Sequence, residues 1–193
     1  AWMEALEAET RAELSSPQML TGRLEGRFLE TLVWATGARR VLEIGTFSGY
    51  GALALASGLG PGGRVWTLER DEERAAFARA HIEASPLAGR IEIVVGPALD
   101  TLARLDGPWD LVFIDADKTG YPAYVDAVLA DLAPRGVIAL DNTLRDGEVL
   151  DPPAGDAGAA AVGALNERLA ADPRLVTTLL PVRDGITLVR HAA

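Results

Sequence analysis

Short apolar runs alternate along the chain with longer segments of helical composition. Five of the runs have the residue types of buried strands: RVLEIG (40–45), RVWTLE (64–69), RIEIVV (90–95), WDLVFID (109–115) and GVIALD (136–141). Between them, two segments favour helices: DEERAAFARAHIEAS (71–85) and YPAYVDAVLADLA (121–133). Near-continuous apolar strands that alternate with helices predict a parallel, doubly wound α/β sheet covered by helices on both faces.

The two ends of the chain follow different patterns. Residues 15–37 predict a helix ahead of the first strand, and a second late helix is expected to begin near Asp156. The stretch PRLVTTLLPVRDGITLVRH (173–191) holds two β-rich runs around PVRDG, which predicts a terminal hairpin and an antiparallel last strand. No linker divides the chain, so residues 1–193 are interpreted as one domain. Residues 1–37 would form an N-terminal helical segment, and the initial alanine is consistent with a missing upstream piece.

Composition narrows the class of partner. The formal net charge of −10 disfavours nucleic acid, since phosphate binding requires a basic face, and small molecules are the better expectation. No apolar run approaches the roughly 20 residues that span a bilayer, so no membrane partner is expected. The absence of cysteine excludes disulfides and thiolate metal sites, which fits a cytoplasmic protein.

A glycine-rich turn follows the first predicted strand in VLEIGTFSGYGALALA (41–56). Gly45, Gly49 and Gly51 let the backbone pass close to a ligand at the start of a helix, although a tight turn alone would also require glycine. The spacing differs from the G-x-G-x-x-G of dinucleotide sites. Two acids indicate a ligand: Glu43 lies inside the strand, and Glu69 ends the next strand, where it could accept ribose hydroxyls.

Polar side chains also stand at the ends of two later strands. Asp115 closes one strand, and Asp141 with Asn142 closes the next. In a doubly wound sheet these positions meet at the carboxyl edge, and two carboxylates with one amide oxygen form a donor set that suits Mg²⁺ or another divalent cation. The alternative is that these residues cap the loops and helices that follow.

Lys118 is the one lysine among 18 basic residues, and it follows Asp115 closely. Arginine keeps its proton in proteins, whereas lysine can act as a proton acceptor when its surroundings favour the neutral amine. A chain that uses arginine elsewhere and lysine here indicates a need for a titratable amine at position 118, although chance alone could place a single lysine there.

Four stretches of the chain carry a family resemblance. VLEIGTFSGYGALALA followed by VWTLERDEE resembles class I S-adenosylmethionine-dependent methyltransferases. FIDADKTGYPAY and IALDNTLRDGEVLDP are similar to the cation-dependent O-methyltransferases of the caffeoyl-CoA and catechol type. The resemblance implies a Rossmann-like seven-stranded mixed sheet with a reversed last strand, a homodimer, and methylation of one hydroxyl of a vicinal dihydroxy aromatic acceptor. It also implies that Lys118 is the general base, with a metal at Asp115, Asp141 and Asn142.

The same resemblance assigns the binding of S-adenosylmethionine. The residues implied in addition to the three glycines of the turn are Met19, Thr21, Glu43, Glu69, Gly96, Ala98 and Asp115. Glu43 and Gly45 would contact the amino-acid part, Glu69 the ribose, and Gly96 and Ala98 the adenine. Asp115 would touch both the metal and the cofactor.

The chain departs from the family pattern at three positions. Gly51 stands where serine is frequent, Pro97 replaces an acid or small residue, and Arg145 replaces an aromatic residue. Arg145 would either recognise an anionic substituent of the acceptor or be a solvated charge, and the loop at 144–159 is a candidate lid. Two alternatives remain open from sequence: a nicotinamide-dependent oxidoreductase, and a cofactor-binding relative without activity.

Overall fold

The strand–helix alternation predicted from sequence is the architecture of the chain, seen in a computed structural model that describes residues 2–192. Seven strands form one mixed sheet in the order β3-β2-β1-β4-β5-β7-β6. The strands are β1 (Arg40–Ile44), β2 (Arg64–Glu69), β3 (Ile91–Val95), β4 (Trp109–Ile114), β5 (Leu132–Asp141), β6 (Leu175–Leu180) and β7 (Ile186–His191). The predicted fold class is confirmed, because β7 runs antiparallel to β5.

Within residues 2–192, seven α-helices connect and flank these strands. They are α1 (Trp2–Glu13), α2 (Gly22–Thr36), α3 (Tyr50–Ser57), α4 (Glu72–Glu83), α5 (Ala98–Leu102), α6 (Tyr121–Leu129) and α7 (Ala157–Ala171). Among residues 2–192, none of the helices combines the length and the apolar character that crossing a bilayer requires.

The chain divides into two compact units, the first ending at Thr101 and the second beginning at Leu102. In the first unit, β1 pairs in parallel with β2 and β2 with β3. Every residue of α3 from Tyr50 to Ala56 is buried, which explains why this short helix is apolar on all sides. The single-domain interpretation and the homodimer stay predictions.

In the second unit, β4 pairs in parallel with β5, and β7 lies antiparallel to both β5 and β6. The predicted terminal hairpin is therefore β6 and β7. The side chains of β4 from Leu111 to Ile114 are fully buried, as the continuous apolar run predicts for a strand covered on both faces. Its carboxyl end delivers Asp115 directly after this buried stretch.

The boundaries where α6 ends and β5 begins differ from the sequence prediction. The helix predicted over 121–133 ends at Leu129, and β5 begins at Leu132, four residues before the predicted strand. The reason is pairing: Leu132 lies opposite Trp109 of β4, and the Trp109 N–H donates to the Asp131 carbonyl. Composition alone does not predict this pairing, because the pairing depends on a neighbouring strand.

The helix predicted over 15–37 is also shorter than expected. It begins at Gly22, after a 3₁₀ turn at Pro17–Met19. Ser16 takes a left-handed conformation with φ of 62°, and Leu20 is extended, so the helix cannot continue through this stretch.

Candidate functional site

The turn after β1 is fastened to the end of β2 by backbone and side-chain hydrogen bonds. The N–H groups of Gly45 and Thr46 both donate to the Leu68 carbonyl, at 3.0 and 3.2 Å. Gly45 and Gly49 have φ of 107° and 86°, values that favour glycine, and Gly49 precedes the first residue of α3. The predicted glycine turn is therefore a strand–turn–helix connection, as its sequence indicates.

Glu69 holds this turn in place through both of its carboxylate oxygens. Its Oε2 accepts from the N–H of Phe47 at 2.9 Å, and its Oε1 accepts from the N–H of Asp71 at 3.0 Å. A carboxylate oxygen can accept more than one hydrogen bond, so these contacts leave acceptor capacity for a ligand hydroxyl. The Gly96 N–H donates to the Glu69 carbonyl at 2.9 Å, which places the predicted Gly96 beside Glu69.

Glu43 is a carboxylate inside the first unit with only 1% of its surface exposed. Its Oε2 accepts a hydrogen bond of 2.5 Å from the Thr67 hydroxyl. That hydroxyl also pairs with the Thr46 hydroxyl at 2.5 Å. Because Thr67 has one hydroxyl proton and gives it to Glu43, Thr46 must be the donor to Thr67. Sequence reasoning missed both threonines: Thr67 lies opposite Glu43 on the neighbouring strand, and Thr46 follows Glu43 in the turn after β1.

Gly51 leaves the space that the Glu43 carboxylate fills. A Cβ added at Gly51 would collide with Glu43 Oε1, and it would lie 3.3 Å from Glu43 Cδ and 3.5 Å from Thr21 Oγ1. The structure thus brings together three predicted cofactor residues: Thr21, Glu43 and Gly51. Met19, by contrast, is 47% exposed. Ala98 begins α5, a short helix that the sequence analysis did not predict.

In the second unit, Lys118 follows the end of β4 on a 3₁₀ turn. Its Nζ donates to Asp115 Oδ1 at 2.9 Å and to the hydroxyl of Tyr121 at 2.6 Å. The Lys118 side chain is 14% exposed. Asp117 caps the turn by accepting from the Gly120 N–H at 3.1 Å. The structure therefore joins the predicted base to Asp115, one of the predicted metal ligands.

Asp141 and Asn142 stand at the end of β5. The Asp141 side chain is 3% exposed, and its backbone carbonyl accepts from the Tyr121 hydroxyl at 3.0 Å. Asn142 adopts a left-handed conformation with φ of 54°, which is uncommon for residues other than glycine and recurs at functional sites. Among residues 2–192, no group of three or more histidine, cysteine, aspartate or glutamate side chains is placed to hold an ion. The predicted set contains two carboxylates and an amide, so its role stays a prediction.

Arg145 is not a solvated charge. Its side chain is 25% exposed, and its Nη2 lies 2.9 Å from Asp156 Oδ2 and 3.6 Å from Glu148 Oε2. Asp156 also caps α7 by accepting from the Ala159 N–H at 2.8 Å. This backbone N–H, followed by the Arg145 guanidinium, lowers the pKa of Asp156 below its ordinary value. Two carboxylates already neutralise Arg145, which weakens its predicted role in recognising an anionic acceptor.

Comparison with known proteins agrees with this geometry. The family described as "O-methyltransferase" matches residues 1–192. The catechol O-methyltransferase of Mycobacterium tuberculosis is 45% identical over 178 residues, covering 91% of this chain and 79% of that protein. The probable caffeoyl-CoA O-methyltransferase 1 of Dictyostelium discoideum is 34% identical over 186 residues, covering 93% of this chain and 81% of that protein.

A solved structure is similar over almost the whole fold. The O-methyltransferase of Bacillus cereus in complex with SAH has a TM-score of 0.91 and 37% sequence identity, covering 99% of this chain and 90% of that one. The family model matches nearly every residue of the chain. The alternative of a nicotinamide-dependent oxidoreductase, which Glu69 at the end of the second strand had left open, therefore has no support. By its sequence and its fold, the chain belongs to the O-methyltransferase family.

Proposed function

We propose that this protein is an S-adenosylmethionine-dependent, divalent-metal-dependent O-methyltransferase that methylates one hydroxyl of a small vicinal dihydroxy aromatic compound. One observation carries the proposal: the only lysine of the chain is held by Asp115 and Tyr121 where β4 ends, in the second unit. An amine beside a carboxylate at a strand's carboxyl end is placed where ligands bind in this class of fold.

The first unit supplies the proposed binding of the methyl donor. The buried Glu43 carboxylate suits the ammonium group of the donor's amino-acid part, because a buried anion is stabilised by a cation. Glu69 is fixed by two backbone N–H groups and keeps acceptor capacity for the ribose hydroxyls. The positive-φ glycines of the turn allow the backbone to approach the donor closely.

Gly51→Ala tests the donor site directly. A side chain at position 51 must displace the Glu43 carboxylate, which is buried and bonded to Thr67. We expect affinity for S-adenosylhomocysteine, measured by calorimetry, to fall about tenfold, which corresponds to roughly 1.4 kcal/mol. Gly60→Ala is the matched control, because a Cβ at Gly60 meets nothing within 4 Å. Equal or tighter binding by the Gly51 variant would show that Glu43 does not contact the donor.

The donor set for the metal fits the proposal by its chemistry. Asp115, Asp141 and Asn142 would hold a divalent cation, since carboxylate and amide oxygens are the ligands that Mg²⁺ prefers. A buried carboxylate such as that of Asp141 is also better tolerated beside a cation. When bound, such an ion lowers the pKa of a coordinated hydroxyl and orients its acceptor.

Lys118 would remove the proton from the reacting hydroxyl. The proton passes to Nζ as the acceptor oxygen attacks the sulfonium methyl group. A carbon–oxygen bond forms, the carbon–sulfur bond breaks, and S-adenosylhomocysteine leaves with the electron pair on sulfur. The contribution of the other residues is positioning: Asp115 and Tyr121 restrain the amine, and the fixed polar groups favour the charges of the transition state.

The acceptor class is inferred from the relatives and from the donor set. Relatives of this chain are named catechol and caffeoyl-CoA O-methyltransferases. A vicinal pair of oxygens is a bidentate group for a divalent cation, which a lone phenol is not. We therefore expect methylation of compounds with two adjacent ring hydroxyls and none of compounds with one.

A methyl-transfer screen tests the proposed function. The purified protein would be incubated with methyl-labelled S-adenosylmethionine, Mg²⁺ and a panel of aromatic compounds with one hydroxyl, two adjacent hydroxyls or two separated hydroxyls. We expect label only in the adjacent class. Label in the other classes at equal rates would overturn the proposed acceptor, and no transfer at all, with the donor still bound, would support the inactive relative.

A further inference from the structure

We propose that Tyr121 is a positioning residue that orients the amine of Lys118 for proton transfer. The inference rests on the proposed function, because it gives Tyr121 a role in the reaction that Lys118 serves. Tyr121 begins α6, three residues after the lysine, and its side chain is fully buried. A buried phenol hydroxyl normally has a hydrogen-bond partner. The Tyr121 hydroxyl lies within hydrogen-bonding distance of Lys118 Nζ and of two backbone carbonyls.

The direction of these hydrogen bonds follows from the chemistry of the groups. The Tyr121 hydroxyl has a single proton, and the carbonyls of Ile114 and Asp141, each 3.0 Å away, can only accept it. The oxygen of Tyr121 therefore accepts from Lys118 Nζ at 2.6 Å. The phenol cannot reverse this arrangement without losing both carbonyl contacts, so it acts as a fixed acceptor for the amine.

Two contacts leave one direction open on the lysine nitrogen. Beyond its bond to Cε, Nζ has three tetrahedral positions. Asp115 takes one position and Tyr121 takes a second, which leaves the third position for proton transfer from a substrate hydroxyl. The nitrogen also lies 4.6 Å from the centre of the Tyr121 ring, so the ring restricts the side chain as well. A lysine side chain is otherwise flexible over four carbons.

Tyr121 also sets the amine relative to two strands. Ile114 is the last residue of β4, and Asp141 is the last residue of β5. The hydroxyl therefore connects Lys118 with the two strand ends from which Asp115 and Asp141 emerge. Since misplacement of a reacting group by about 1 Å can cost a hundredfold in rate, such a connection has kinetic value.

The experiment compares Tyr121→Phe with Tyr124→Phe. Tyr124 lies on the same helix, is also buried, and donates its hydroxyl to Asp117 Oδ1 at 2.7 Å, so it is a matched loss of one phenol hydroxyl. For Tyr121→Phe we expect kcat to fall about tenfold or more, with KM for donor and acceptor unchanged, because the substrates do not require the phenol for binding. Tyr124→Phe is expected to keep the kcat of the wild type.

A spectroscopic readout makes the contact testable without turnover. Lys118 is the only lysine, so protein labelled with ¹⁵N at the lysine Nζ gives a single side-chain nitrogen signal. In the wild type its protons should exchange slowly with water, as expected for a restrained amine; rapid exchange like that of a free lysine would overturn the inference. The signal should move in Tyr121→Phe and stay in place in Tyr124→Phe.

The outcomes separate the inference from the proposed function. The positioning role of Tyr121 would be overturned if the Lys118 signal did not move in Tyr121→Phe, or if the signal moved but kcat did not change. Neither outcome would contradict the proposed methyltransferase activity. If the wild type transfers no methyl group to any acceptor but the signal still moves, the proposed function has failed and the kinetic role of Tyr121 falls with it. If Tyr121→Phe does not fold, proton exchange in the wild type decides the contact.

Discussion

Replacement of Lys118 by arginine or by methionine is expected to abolish methyl transfer, with a loss in kcat of about a hundredfold or more, the range of general-base catalysis. Arginine keeps a positive charge that could still pair with Asp115, but it does not give up its proton in a protein. Methionine keeps much of the length and removes the amine. Affinity for S-adenosylhomocysteine, measured by calorimetry, is expected to stay that of the wild type in both variants.

The pair of variants separates two roles for the lysine. If Lys118 serves only to neutralise Asp115, the arginine variant should remain active and the methionine variant should not. Full activity in either variant would show that Lys118 is not the general base. The matched control is Arg168→Met, which deletes an exposed cation paired with Asp126 in the same unit and should leave turnover unchanged, since exposed ion pairs contribute little.

Removal of divalent metal is expected to stop turnover in the wild type, and added Mg²⁺ should restore it. The physical reason is that the acceptor hydroxyl remains protonated and unoriented without the ion. Asp141→Asn should raise the Mg²⁺ concentration required for half-maximal rate by about tenfold to a hundredfold or more, the loss seen even for residues that only support metal ligands. Binding of Mn²⁺ by electron spin resonance gives a readout that does not depend on turnover.

The control for this variant is Asp126→Asn. It makes the same chemical change on the exposed surface of α6, where Asp126 pairs with Arg168, and should alter neither metal binding nor rate. Undiminished methyl transfer after exhaustive chelation would overturn the metal requirement. Unaltered Mn²⁺ binding in Asp141→Asn would show that Asp141 is not a metal ligand, even if turnover still requires a divalent metal.

Several parts of the fold could be predicted because they depend on local pattern. The continuous apolar run LVFI (111–114) within WDLVFID predicts a strand buried on both faces, and β4 is one. The helix expected to begin near Asp156 begins at Ala157, where the Asp156 side chain caps it. The hairpin after residue 173 follows from two β-rich runs and a turn, and it forms β6 and β7.

Other parts could not be predicted because they depend on partners far along the chain. The early start of β5 is set by pairing with Trp109. The environment of Arg145 is set by Asp156, which follows it by 11 residues. From sequence, an arginine on a glycine-containing loop is consistent with a solvated side chain, and the ion pair that contradicts this exists only once the loop is folded.

The candidate site shows the same division. The sequence by itself determined which chemical groups stand at the strand ends: Glu69, Asp115, Lys118 and Asp141 with Asn142. It could do so because strand ends are visible as the limits of apolar runs, and parallel strands bring their carboxyl ends to one edge of a sheet. The glycine turn was visible for a similar reason, since its residues are consecutive.

Only the tertiary structure decided what those groups touch. Thr67 and Glu43 are 24 residues apart, Phe47 and Glu69 are 22 apart, and Tyr121 meets the Asp141 carbonyl across 20. Hydrogen bonds are directional and act over about 3 Å, so they form only after the strands are paired and the side chains have taken defined rotamers. Residue types along a chain therefore specify the chemistry that is available, whereas packing decides which atoms can use it.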